Sequence, residues 1–222
     1  MFQAMKQRQA AEMEAAFQKL ALKIGIELPE RLSALIAIAQ SDKGALRSAY
    51  DLFWLDAEES EREIDEWLNP DDQQGRTFLP FANNGSGEPH CFVRLENGAT
   101  GIAQALHFGQ TTTLAHADIS SWVASHYVRV AANTSQLTYQ TEVGAALIDE
   151  VQLLHPALLP ADRALLADLF SRPCVTMAFK EGPKSLSKTV NAFISQEEEQ
   201  SLLKRLEQPD PIEFAVLRDW MR

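Results

Sequence analysis

Residues 77–108 constrain this chain more than any other stretch. Two Asn-Gly pairs, Asn84-Gly85 and Asn97-Gly98, punctuate three short apolar runs: Thr77-Phe78-Leu79-Pro80-Phe81-Ala82, Cys91-Phe92-Val93-Arg94-Leu95 and Ile102 to Phe108. Asn-Gly accepts the positive φ of tight hairpin turns, so runs this short, separated in this way, predict an antiparallel meander. Pro80 has no N–H to give a ladder, which predicts either an edge strand or a strand that begins there.

Helical patterns flank the meander. Met13, Phe17, Ala21 and Ile24 recur at helical spacing within residues 2–24, and Gly25 is a natural stop. Pro29 opens a second helix through about Gln40, with Leu32, Leu35, Ile36 and Ala39 on one face, and Ser41-Asp42-Lys43-Gly44 ends it. Residues 49–55 fit a strand or a helix end. Asp56 with Glu59 makes a capping box for a helix ending near Leu68, which its few large apolar residues place on the surface. After the meander, Asp118 caps a helix bearing Ile119, Trp122, Val123, Tyr127 and Val130, an apolar stripe suited to cover one sheet face. Residues 141–155, 160–171, 195–207 and 211–222 read as helices, and Cys174 to Phe179 as a lone strand. Helices first, sheet in the middle and helices last predict an α+β fold: an antiparallel sheet of several strands backed by helices.

With 222 residues and 45% hydrophobic content, the chain can bury a sizeable core, and 23% charged residues is an ordinary globular share. No apolar run reaches the roughly 20 residues that span a bilayer, and the first residues lack a signal-peptide pattern. These features predict a cytoplasmic protein without membrane partners. The two cysteines, Cys91 and Cys174, stand far apart, which fits core residues and neither a disulfide framework nor a zinc site.

Net charge is −11, from 20 basic and 31 acidic side chains. A surface of that sign repels nucleic-acid backbones and suits a basic partner, although solubility alone also accounts for it. The charge is concentrated at Asp56, Glu58, Glu59, Glu61, Glu63, Asp65, Glu66, Asp71 and Asp72, with Arg62 the one base among them. That segment is either a docking patch or a solvated helix face with an acidic first turn.

The expected chemistry is none. His90 and Cys91 are neighbours on a strand and therefore point to opposite faces. His107, His116, His126 and His155 have no metal-ligand spacing, and HEXXH, Cys-X-X-Cys, Gly-X-Ser-X-Gly and a phosphate loop are all missing. No catalytic residue, metal or cofactor is therefore expected. Asn83-Asn84-Gly85-Ser86-Gly87 is open to two readings: a tight hairpin turn, or a contact loop whose amides cradle an anion.

Leu28-Pro29-Glu30, the phrase Phe78-Leu79-Pro80-Phe81-Ala82-Asn83-Asn84-Gly85-Ser86-Gly87, the Glu96-Asn97-Gly98 turn, His107-Phe108, and the helix with Ile119 and Trp122 follow in that order. Over roughly residues 10–130 this order resembles the SUKH superfamily of SMI/KNR-type proteins. Asn84 stands where that family usually has an aspartate in the turn, and Glu88-Pro89-His90 replaces its small polar and aromatic residues. The resemblance implies a SUKH-like α+β domain over 1–140, with 141–222 a mainly helical extension docked on it. It also implies a non-catalytic protein-binding protein. In bacteria that means an immunity factor that neutralises a cognate toxin, commonly a nuclease; the alternative is a regulatory scaffold that gathers signalling partners. A basic toxin domain would meet the acidic helix and the sheet-edge loop, through Glu58, Glu59, Glu61, Glu63, Asp65, Glu66, Trp67, Asn83, Asn84, Ser86 and Glu88. Direct nucleic-acid binding is not expected, and the oligomeric state is left open.

Overall fold

The computed structural model describes residues 2–41, 46, 52–107, 111–135, 137, 142–182 and 184–217, with backbone alone at residues 2–10 and 41. In chain order the elements are α1 (Phe2–Lys23), α2 (Glu30–Ser41), β1 (Phe53–Trp54), α3 (Ala57–Glu63) continuing as a π-helical turn (Ile64–Leu68), β2 (Thr77–Asn83), β3 (Pro89–Arg94), β4 (Thr100–Gln104), β5 (Thr111–Leu114) and α4 (Ile119–Ala132). Then follow α5 (Val143–Leu153), a 3-10 turn (His155–Ala157), α6 (Pro160–Ser171), β6 (Val175–Phe179), β7 (Lys188–Ala192), α7 (Gln196–Leu206) and β8 (Ile212–Ala215). The fold is α+β. No helix of the described residues is long and apolar enough to cross a membrane.

The expected meander forms an antiparallel sheet in the order β1-β2-β3-β4. Gly98 turns at φ +84°, with the Leu95 N–H donating to Ala99 O at 2.8 Å. The third strand, expected from Ile102 to Phe108, runs from Thr100 to Gln104; Phe108 lies outside the described residues. Pro80 lies neither at the edge nor at the start of its strand. It sits inside β2, opposite Cys91, at a bulge whose extra residue is Phe81. Its carbonyl accepts from Ser60 Oγ of α3 at 2.6 Å, so the backbone at Pro80 faces a helix on that side and its missing N–H costs the sheet nothing.

The strands read as unbroken apolar runs because both faces are buried. Leu79, Phe81, Phe92 and Ile102 join the main core, which reaches from Phe17 and Leu32 through Trp122 and Tyr127 of α4 to Leu166, Phe193 and Leu202. Phe78, Cys91, Val93 and Ala103 face the other way and pack with Trp67, Leu68, Leu114, Phe214 and Val216. Three local expectations fail. Residues 212–215, expected in a helix, form β8 and pair antiparallel with β5, while residues 218–222 lie outside the described residues. The strand expected alone at 174–179 has a partner, β7. Cys174, expected in the core, is exposed at the mouth of that hairpin, whereas Cys91 is buried as expected. The helix-breaking Asp42-Lys43-Gly44 lies outside the described residues.

Candidate functional site

Asp56 accepts from the Glu58 and Glu59 N–H groups at 3.0 and 2.9 Å, and Glu59 Oε2 reaches back to the Asp56 N–H at 2.8 Å. This is the expected capping box, and it fixes the start of α3. The π-helical turn that follows brings Ile64, Trp67 and Leu68 to one side, all of them buried. The segment expected on the surface is thus half core. Trp67, which reads from the sequence either as an exposed partner anchor or as core packing, is only 8% exposed and belongs to the core. Its ring lies 4.6 Å from that of His107, and its Nε1 donates to Glu63 Oε2 at 2.9 Å, so it anchors the segment from below.

The acidic side chains therefore divide by task. Glu59 serves the cap. Glu61 pairs with Lys23 of α1 at 2.6 Å, and this contact raises the lysine and lowers the carboxyl. Glu63 holds Trp67 and, at 3.5 Å, the Asn83 amide, which ties the acidic segment to the sheet. Glu58, Asp65 and Glu66 are exposed, and their carboxylates are held by no hydrogen bond or ion pair among the described residues. These three are the carboxylates that a partner meets first.

The adjoining loop is closed on itself. Asn84 Oδ1 accepts from the Ser86 and Glu88 N–H groups, both at 2.9 Å, and Asn84 Nδ2 donates to Glu88 Oε2 at 3.0 Å. Glu88 takes a further bond from Gln104 Nε2 at 3.4 Å. With the Asn84 N–H donating to Glu88 O and the Gly87 N–H to Asn84 O, these bonds occupy the amides of Asn84, Ser86, Gly87 and Glu88. The geometry is that of a turn, with Gly87 at φ +77°. Ser86 is exposed at its tip, beside half-buried Asn83 and Glu88.

A second group was not legible from spacing. His90 on β3 faces Trp122 and His126 of α4, with ring centroids 5.3 and 5.8 Å apart, and Trp122 and His126 are 4.3 Å apart. Burial pushes His90 down to about 4 and His126 to about 3, the nearby Arg129 adding to both; His116 is lowered for the same main reason. His126 Nδ1 lies 2.9 Å from Trp122 O and must carry its proton there, since a carbonyl can only accept. The cleft beside Trp122 and His126 holds about 10 Å³, too little for a ligand. These rings are packed core, and Phe81 and Trp54 pack edge-on against the same indole at 5.0 and 6.4 Å.

A cavity of about 970 Å³ opens between the start of α5, the end of α6 and the β6–β7 hairpin, walled by Glu142, Arg172, Cys174, Thr176 and Asn191 among others. Arg172 is held there by Asp168 and Glu198, each at 2.8 Å. Partial burial raises the Cys174 thiol, the reverse of what a nucleophile needs. Cys91 is raised further by full burial. No group of three or more His, Cys, Asp or Glu among the described residues is arranged to hold a metal ion. Comparison of the chain with protein-family models, with curated proteins and with solved structures found no match.

Proposed function

We propose that this chain is a protein-binding module of the immunity type, which neutralises a basic toxin domain by covering it with the acidic face of α3 and its π-helical turn. The observation that carries this reading is the division of the carboxylates. Glu58, Asp65 and Glu66 stand exposed, while Glu59, Glu61 and Glu63 hold the segment that presents them. Fixed charges on a rigid support speed encounter with an opposite field and reject like-charged partners. The SUKH-like order of motifs supports the same reading, as does the net charge of −11.

The test is capture of partners from the native cell lysate at low and high salt, with the wild type beside a Glu58→Gln, Asp65→Asn, Glu66→Gln variant. The expected result is one dominant basic partner, weakened by salt. For the purified pair, the association rate of the variant should fall roughly tenfold with little change in dissociation. A partner held equally by the variant places the interface elsewhere, and several partners of unlike charge favour a scaffold.

A further inference from the structure

The β6–β7 hairpin has an unguarded edge. Asn191 O of β7 accepts from the Thr134 N–H at 3.0 Å, and the Phe193 N–H donates to Ala131 O at 2.7 Å, so both residues turn their backbone groups away from β6. In an antiparallel ladder a residue's N–H and C=O point the same way and alternate along the strand. Val175, Met177 and Phe179 are therefore the residues that bond β7, across from Ala192, Val190 and Lys188. Thr176 and Ala178 face outward, and both are exposed. Lys180 obeys the same alternation, and there the Gln196 side chain stands in for a strand: the Lys180 N–H donates to Gln196 Oε1 at 3.1 Å, and Gln196 Nε2 donates to Lys180 O at 2.6 Å. One end of the edge is capped, while Thr176 and Ala178 are left open.

Exposed edges are ordinarily blunted by charge, proline or a bulge. The strand Val175-Thr176-Met177-Ala178-Phe179 contains no charge and no proline, and its register with β7 is unbroken. Val175 is 43% exposed beside it, and Leu186 in the connecting loop is 93% exposed.

We infer that this edge is the docking site for a second copy of the chain, two β6 strands pairing antiparallel across a two-fold axis into one sheet in the order β7-β6-β6′-β7′. Charge selects this occupant. A molecule of net charge −11 repels its like over most of its surface, and β6 is an uncharged stretch where two copies meet without that cost. Pairing centred on Met177 sets Thr176 against Ala178 of the other copy, so each strand satisfies the open backbone groups of the other. It places Val175 against Phe179, and the Gln196 side chain that caps Lys180 bounds the paired segment at either end. The two Lys180 residues stay roughly 20 Å apart at about 3.4 Å per residue. Such a contact is isologous and closes on itself. It shares no residue with the acidic face and does not depend on that face's function.

The test is sedimentation of the full chain between about 1 and 500 µM, since an interface this small associates in the micromolar range or weaker. A monomer–dimer equilibrium is expected. Ala178→Pro removes an outward N–H that β7 does not use, and should weaken association at least about tenfold with an unchanged circular dichroism spectrum. Should that variant not fold, a Met177→Cys, Cys174→Ser double variant decides: the two-fold pair should form a disulfide-linked dimer on mild oxidation, through the thiol introduced at the centre of the strand. A monomer at every concentration, a dimer indifferent to a folded Ala178→Pro variant, no cross-link in the oxidised double variant, or a mass that climbs past the dimer would each overturn the inference.

Discussion

Among single residues, His90 and His126 carry the most testable consequence. Packed on Trp122 and facing Arg129, both are neutral in the folded chain well below their ordinary pKa of 6.5, at about 4 and about 3. The unfolded chain takes up those protons near pH 6.5, so the stability present above that value drains away as pH falls toward the folded values. Each histidine contributes a slope of up to about 1.4 kcal/mol per pH unit. Glu61 and Glu96, whose carboxyls are lowered by Lys23 and Arg76, act only below about pH 4.5, and Glu199, raised by burial, acts in the opposite sense. Urea midpoints should therefore fall between pH 6.5 and 5, and His126→Leu should flatten that fall. An unchanged midpoint over the window would mean that these rings are solvated. The sequence showed that His90 and Cys91 point apart, which follows from alternation alone. It did not show that His90 meets His126, because the two lie on different elements and metal-spacing rules examine one element at a time.

Among elements, local signals were legible and distant pairings were not. The Asn97-Gly98 turn, the Asp56 and Asp118 caps and the apolar stripe of α4 are written within a few residues, and the structure has each of them; the chain also turns at Asn84-Gly85, but there the positive φ falls on Gly87 and not on the Asn-Gly pair. β8 escaped notice because the alternation in Ile212-Glu213-Phe214-Ala215 is too short to tell a strand from a helix end, and its partner β5 lies far away in the sequence. Whether Trp67 is an anchor or core stays open in the sequence because the turn beneath α3 is π-helical, and an ordinary helical wheel does not show the buried side that this turn creates. Only one link of the capping box needs to be cut to test the support of the acidic face. Asp56→Ala should cost about 1 kcal/mol in global stability and loosen residues 57–63, seen as faster amide exchange there than in β3. Uniform exchange across both elements would mean that α3 is held by Ser60 and Trp67 alone.

At the scale of the whole molecule, two cores share one sheet, and the second is completed by the end of the described chain. Phe214 packs against Phe78 at 6.0 Å, while Gln73 grips Leu217 through both amide atoms, at 2.6 and 3.0 Å. Phe214→Ala should cost about 3 kcal/mol, read as a lowered urea midpoint, although none of the exposed carboxylates of the acidic face belongs to that core. A loss below about 1 kcal/mol would show that β8 is peripheral. The same arrangement has a consequence for biosynthesis. A ribosome releases the chain from its N-terminus, so Phe78, Cys91, Val93 and Ala103 emerge long before the strand that covers them. Throughout that interval the nascent sheet presents an apolar face to solvent, a natural holding site for a chaperone until residues 212–217 have left the exit tunnel.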